Sequence, residues 1–508
     1  MNSNDHVYER RQYIGLFLGP GLCVLMMALG APAGMKAAAW HTAAVAVWMA
    51  TWWVTEALPI PVTSLLPLIM FPLLGIGQEQ VAAKKFNELV AVAAAPYADP
   101  VVFMFMGGFI IALAMERWNL HKRIALNIIR VVGTSPVRLI YGFMIATAFI
   151  SMWINNTAAT MMMLPIALSV VRLLYAEHHD EGGRNFVVVL MLAIAHASTI
   201  GGLGTLIGTA PNMFFAGFMR KTYNIQISFA QWMMAATPMV MIAIPLVTLI
   251  LTKWVFPIRI RAIDGADELV KRELTMLGNW TNPEIKVGIV FLVTASLWIF
   301  RSIAEPAFGI KTPFLSDAGI SMAGALLLFV WPVNLKRGDF VMDWHTAAKL
   351  PWGLILLFGG GLSLAEAIKN SGLADWIGQN LTAIGGWPPL LMILVIVVLT
   401  IFLTEFTSNT ALTATLLPIL APIALNIGQN PLLLLIPATI AASTGFMMPV
   451  GTPPNAIVYG TGYLTVKDMI RAGIWLNLFF AVLVTLATYS LFVWVFGIEF
   501  GIVPSWAK

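Results

Sequence analysis

The sequence predicts an all-α polytopic membrane protein built from two related halves. Three observations carry this: a charge-poor composition, recurring apolar runs of helix length, and a pair of Asn-Thr motifs at matching positions of an internal repeat. Of 508 residues, 59% are hydrophobic and 10% charged, with a mean hydropathy of +0.84. A soluble domain carries about 25% charged residues. So few charges cannot cover a water-facing surface, and lipid must face much of the chain. Runs of about 20 apolar residues recur from end to end, each long enough to cross the hydrocarbon as a helix. Strands alternating every second residue are absent, which argues against a β-barrel. The net charge of +5 is read as Lys and Arg in cytoplasmic loops, not as a nucleic-acid surface. Cys23, the single cysteine, leaves no disulfide framework within one chain. Met1–Arg11 is polar, and the segment after it is long enough for a permanent span instead of a cleaved signal.

In order, apolar segments are expected near 12–31, 38–57, 61–77 and 100–116, followed by a long broken stretch at 137–175, another at 186–219, and a span at 232–256. Pro257–Pro283 is polar and reads as a cytoplasmic linker. Beyond it come 285–303, 317–333, 352–368, broken stretches at 388–427 and 431–462, and a last span at 474–498. The domains are thus a first repeat (1–256), the linker (257–283) and a second repeat (284–508). Basic clusters at Arg10 and Arg11, at Lys122, Arg123 and Arg130, in the linker, at Lys336 and Arg337, and at Lys467 and Arg471 fall on one side if each stretch near 150 and 408 enters and leaves on the same side. The N-terminus is then cytoplasmic and the C-terminus outside. Arg220 and Lys221 vote against. This parity fits a re-entrant hairpin and a pair of complete spans equally.

The internal repeat is the strongest signal. Phe105-Met-Gly-Gly-Phe-Ile-Ile-Ala112 matches Phe358-Gly-Gly-Gly-Leu-Ser-Leu-Ala365, and Asn156-Thr-Ala-Ala-Thr matches Asn409-Thr-Ala-Leu-Thr, both at an offset of 253 residues. Gly208-Thr-Ala-Pro-Asn212 matches Gly451-Thr-Pro-Pro-Asn455 at an offset of 243. Counting the stretches 186–219, 232–256, 285–303, 317–333 and 352–368 gives an odd number of crossings between the Asn-Thr sites, which makes the repeats antiparallel.

Asn155-Asn156-Thr157 and Thr407-Ser408-Asn409-Thr410 lie mid-way through apolar stretches, where their polar groups need partners. One such motif alone would read as polar glue between helices, or as a turn joining two short spans. Two, at matching repeat positions and each followed by a helix-compatible run, read as helix N-caps. Each Gly-Thr-x-Pro-Asn adds a second break, where Gly permits unusual angles, Thr can cap and Pro suits the first turn. Four half-helix N-termini result, an anion site made without Lys or Arg. An anion there calls for bound cations, and Ser, Thr, Asn and carbonyl oxygens suit sodium. Ser151 and Thr404, each five residues before its Asn, could add oxygens.

Glu405 lies within the second stretch, and an intramembrane carboxylate is functional by default. It could carry a coupled proton, support the sodium site, or pair with an unidentified residue. Its first-half counterpart is Met152. His196 is read as a helix-packing residue, and Met161, Met162 and Met163 as packing.

At these residues the chain resembles the divalent anion:sodium symporters, carriers of di- and tricarboxylates or sulfate. Ser151-Met-Trp-Ile-Asn-Asn-Thr157 and Thr404-Glu-Phe-Thr-Ser-Asn-Thr410 are similar to that family's two hairpin motifs, and Glu56-Ala-Leu-Pro-Ile-Pro-Val-Thr-Ser64 is similar as well. The resemblance implies about eleven transmembrane helices plus two re-entrant hairpins, a homodimer, and an elevator-like transport domain. It implies that Asn156, Thr157, Thr209, Asn409, Thr410, Thr452 and Pro453 line the substrate site. One sodium would sit with Ser151, Asn156 and the Gly208 carbonyl, the other with Thr404, Thr407, Asn409 and the Gly451 carbonyl. Asn155 stands where the family has Ser, and it too offers a carbonyl oxygen to sodium. The expected function is sodium-coupled symport of a C4-dicarboxylate such as succinate, with sodium as coupling ion, no cofactor, and lipid as surroundings. An exchanger, or a citrate or sulfate carrier, is the alternative. A membrane-embedded enzyme is disfavoured by the lack of a catalytic constellation.

Overall fold

The computed structural model describes residues 8–80, 85–175, 181–307, 316–380 and 386–507. Nearly every ordered element is helical. Among the described residues the exception is a short antiparallel ribbon, Pro332–Asn334 with Asp339–Phe340. Nine helices of the described chain are long and apolar enough to cross a bilayer, from Arg10–Leu29 to Val466–Phe496, and five shorter apolar helices accompany them. Arg10–Leu29 buries few of its residues, which leaves its apolar surface to lipid.

Both long broken stretches are helical hairpins. The first has arms Pro136–Ser151 and Asn156–Tyr175, the second Pro389–Thr404 and Asn409–Asn426. A proline opens the first arm of each, where its missing N–H costs nothing. The hairpin starts, Pro136 and Pro389, and the second-arm starts, Asn156 and Asn409, each stand 253 residues apart. The two later stretches are broken helices: Glu181–Gly202 then Ala210–Tyr223, and Leu432–Ala442 then Pro453–Tyr459. Thr209 caps the second of these segments and Thr452 the fourth, each accepting from the N–H of the Asn three residues on, with proline in the first turn.

The halves are interlocked by packing. Glu181–Gly202 lies along the first hairpin, and Leu432–Ala442 along the second. Beyond its break, each chain crosses over. Ala210–Tyr223 packs on Asn409–Asn426 of the other half, and Pro453–Tyr459 packs on Asn156–Tyr175 and Glu181–Gly202. Each half therefore completes the wall of the other's tip. Arg184 joins the halves again through Asp468 at 3.0 Å.

The repeated Gly-Gly pairs allow close helix contact. A methyl group on Gly107 would lie 2.6 Å from the Ser321 backbone, and one on Gly360 would lie 2.2 Å from Ser64 O. Small residues let membrane helices approach this closely.

Four segments differ from the sequence expectation. The linker is not a free polar stretch, because Ala266–Leu277 within it is helical. The basic run after Arg117 is also a helix, Leu120–Val132, which buries Leu120, Arg123, Leu126 and Ile129 on one face. Leu373–Asn380 stands at the matching place before the second hairpin. These helices are short and carry charge on one face, so a search for long apolar runs passes over them. The last span begins at Val466, earlier than expected, because Thr465 and Asp468 form a capping box.

The linker helix is clamped to Leu120–Val132. Lys122 meets Glu273 at 2.8 Å, and Thr134 donates to Asp267. Arg123 Nε lies 2.5 Å from Glu284 Oε1, and its other nitrogens donate to the carbonyls of Leu277, Gly278 and Asn279. The pair is buried, so removing one member strands the other charge. Arg123→Ala is expected to destabilise the protein by about 3 kcal/mol, read as a lowered thermal unfolding midpoint in detergent; an unchanged midpoint would contradict this account of the clamp.

Candidate functional site

The two hairpin tips build the same oxygen cluster from matching residues. In the first half, the inward-facing amide atom of Asn156 lies 2.7 Å from Ser151 Oγ, 3.1 Å from Ser198 O and 3.2 Å from Gly208 O. In the second, that of Asn409 lies 2.8 Å from Thr404 Oγ1, 3.2 Å from Ala442 O and 3.2 Å from Gly451 O. Each cluster thus takes a hydroxyl from the first hairpin arm, an amide from the second, one carbonyl from the helix before the break and one from within the break. Thr160 and Thr413 back-bond to the carbonyls of Asn156 and Asn409 at 2.9 and 2.8 Å.

The chemistry of this arrangement depends on which amide atom points inward. With nitrogen inward, the amide donates to the surrounding oxygens. With oxygen inward, four oxygens converge with no hydrogen bond among them beyond the hydroxyl's own, which is a cation's coordination shell in composition. Both Asn side chains sit at this crossover, and both are half-buried.

The breaks that present the carbonyls are held open by side chains. Asn212 Nδ2 donates to the carbonyls of Gly202, Leu203 and Thr205, and Asn455 Nδ2 to those of Gly445 and Met448. The last span of each half adds support. Trp232 Nε1 donates to Leu203 O at 3.0 Å and Thr237 to Gly204 O at 3.1 Å in the first half, while Asn477 receives the Phe446 N–H in the second. The hairpin tips accept from the breaks through different groups. The Met152 carbonyl accepts from Thr205 Oγ1 at 2.5 Å, whereas the Glu405 carboxylate accepts from the Met448 N–H at 2.9 Å.

The structure brings together Ser151, Asn156 and Gly208, and separately Thr404, Asn409 and Gly451. It does not bring the side chains of Asn155 and Thr407 into the clusters. Asn155 Oδ1 accepts the Ala158 N–H at 2.8 Å and caps the second arm, and Thr407 Oγ1 donates to Leu403 O at 3.0 Å. The hydroxyls of Thr209 and Thr452 serve as caps. Thr209 Oγ1 also lies 3.5 Å from Ser443 Oγ, where the two breaks meet. Thr410 is buried, Thr157 half-buried and Pro453 exposed. Arg220, the basic residue nearest a break, turns away and pairs with Asp99 at 3.0 Å. The sequence reading missed Ser198, Ala442, Thr205 and Asn477. The first two act through backbone carbonyls, which carry no side-chain signal. Thr205 and Asn477 are single polar residues in apolar runs.

Interlocked hairpins and broken helices with polar tips define a secondary-transporter architecture. The chain belongs to the family described as the sodium:sulfate symporter transmembrane region, whose model matches residues 11–498. It is 43% identical over 498 residues to the sodium-dependent dicarboxylate transporter SdcS of Staphylococcus saprophyticus, covering 97% of this chain and 93% of the relative. It is 40% identical over 502 residues to SdcS of Staphylococcus aureus, with the same coverage. Two solved structures share the fold. MtrF of Neisseria gonorrhoeae has a TM-score of 0.57 at 12% identity, covering 89% of this chain and 97% of that one. YdaH of Alcanivorax borkumensis has a TM-score of 0.55 at 16% identity, covering 85% and 98%.

The cluster leaves no room beside it. A methyl group on Gly202 would lie 2.4 Å from Asn156 Oδ1 and 2.7 Å from Thr209 Cγ2. Gly202→Ala is therefore expected to cost about 2 kcal/mol of stability, whereas Gly21→Ala, which meets nothing within 4 Å, should be neutral or slightly stabilising. Thermal melts of the two variants in detergent compare them; equal midpoints would refute the crowding.

Proposed function

We propose that this protein is a sodium-coupled symporter of C4-dicarboxylates of the succinate, malate and fumarate class. The observation that carries the reading is the doubled oxygen cluster at Asn156 and Asn409. Its donor set is hydroxyl, amide and carbonyl oxygen, which suits a hard monovalent cation and is short of the carboxylates that a divalent metal prefers. The relatives' name, sodium-dependent dicarboxylate transporter, supports both the coupling ion and the substrate class.

Sodium is cargo here. Ser151, Asn156 and the carbonyls of Ser198 and Gly208 hold one ion. Thr404, Asn409 and the carbonyls of Ala442 and Gly451 hold the other. The substrate lies between the tips, against Asn156, Thr157, Asn409, Thr410 and the Thr209, Thr452 and Pro453 edges of the breaks. The N-termini at Asn156, Asn409 and Ala210 contribute partial positive charge, and the two cations supply the remainder, which accounts for an anion site without Lys or Arg. Each amide has two uses in this scheme: nitrogen inward steadies the ion-free tip, and oxygen inward binds sodium.

Loading sodium assembles both tips, so substrate selects the assembled population. The interlocked hairpins and broken helices then move as one body in an elevator-type step. In support, the amphipathic helices Leu120–Val132 and Leu373–Asn380 stand immediately before the two hairpins, placed to join a moving body to the surrounding spans. The antiparallel repeat, the cytoplasmic N-terminus and the homodimer complete the reading.

In proteoliposomes, labelled succinate uptake is expected to require an inward sodium gradient. Asn409→Ala should reduce it to background while leaving the thermal midpoint and gel-filtration profile intact. Uptake that persists undiminished in choline would sink the symport reading, and normal transport by the variant would sink the site.

A further inference from the structure

Behind the second cluster stands a charged side chain where the first half has Met152. Glu405 is 1% exposed. Its Oε1 accepts the N–H of Phe446 at 2.8 Å and of Met447 at 3.0 Å, and Asn477 Nδ2 at 2.7 Å. Its Oε2 accepts the N–H of Met447 at 3.1 Å and of Met448 at 2.9 Å. Both oxygens face only donors, the pattern of an ionised carboxylate. Among the described residues no Lys, Arg or His forms an ion pair with it. His196 meets the ring of Phe446 edge-on instead.

Backbone N–H groups are dipoles and leave the net charge in place. A buried charge is paired or coordinates a cation. Glu405 directly follows Thr404, and a methyl group on Gly451 would lie 3.1 Å from its Oε2. Thr404 and the Gly451 carbonyl are both members of the second cluster. The carboxylate therefore backs onto that cluster without entering it.

We propose that Glu405 is the fixed counter-charge of the second cation cluster. It is a positioning residue that makes this half take its sodium first and more tightly than the half built around Met152. Asn477 ties that charge to the last span, so the loop at 446–448, the hairpin tip and Val466–Ala487 are set together by one carboxylate. The inference rests on the sodium-symport reading.

The test uses purified full-length protein without substrate, at constant ionic strength with choline. Binding of radioactive sodium and the sodium dependence of the thermal midpoint are read together. The unaltered protein should fill one tight sodium class ahead of a weaker one. Glu405→Gln, neutral and of the same shape, should raise the half-saturating sodium of the tight class about tenfold. Glu405→Asp keeps the charge and should stay within about threefold. Succinate half-saturation in saturating sodium should move less than about twofold in both. Unaltered sodium binding by Glu405→Gln, or equal losses in both variants, would overturn the proposal while leaving symport standing. If Glu405→Gln does not survive purification, a tenfold loss in Glu405→Asp overturns it. No sodium binding by the unaltered protein would instead remove the symport reading, and this proposal with it.

Discussion

An unwound backbone inside an apolar interior must find a partner for every carbonyl and N–H. That constraint governs the centre of this protein. Eight helix ends, four of them N-terminal, are brought into the interior at the hairpin tips and breaks, and water cannot satisfy them there. Asn156 and Asn409 do much of this work. Each reaches across from a hairpin to one carbonyl of the helix before a break and one within the break. Asn212 and Asn455 gather further carbonyls within each break. A solution made of neutral amides and hydroxyls leaves oxygens facing inward, and inward-facing oxygens are what a sodium ion needs.

The two halves solve the same problem with different chemistry. In the first, Thr205 donates to the Met152 carbonyl, and Trp232 and Thr237 brace the loop from the adjacent span. In the second, one carboxylate collects three backbone N–H groups and Asn477. A hydroxyl on a carbonyl brings no acidic group, whereas Glu405 brings a carboxylate side chain. Backbone geometry is therefore near-symmetric while the electrostatics are not. Crossing over of Ala210–Tyr223 and Pro453–Tyr459 makes the halves dependent on each other, since neither tip is walled by its own half alone.

Charge is placed mostly at the edges of this unit. Arg220 and Lys221 bind Asp99 and Glu366 at the end of Ala210–Tyr223, and Arg123 and Lys122 hold the linker helix. These contacts join the interlocked hairpins to neighbouring spans, and they engage Arg220 and Lys221 with carboxylates away from the two oxygen clusters. On the proposed reading, an anion between the tips would meet helix dipoles and bound cations, which would tie substrate binding to sodium.

Composition and apolar run length alone determined that the chain is a helical membrane protein, because lipid exposure and span length are properties of local sequence. The repeat located both hairpins and both breaks to within a few residues, since Asn-Thr and Gly-Thr-x-Pro-Asn are conspicuous in apolar surroundings. Ser151, Asn156, Thr404 and Asn409 were legible from their shared five-residue spacing. Tertiary structure decided the rest. It turned Asn155 into a cap and Thr407 onto a neighbouring carbonyl, choices set by local backbone direction. It supplied Ser198 and Ala442 through carbonyl oxygens, which every residue possesses and no motif marks. It gave Glu405 its partners, three of which are backbone N–H groups some forty residues away and the fourth a lone Asn in the last span. Sequence periodicity reports which side chains dislike water; which carbonyls and N–H groups meet is fixed only when the helices have crossed.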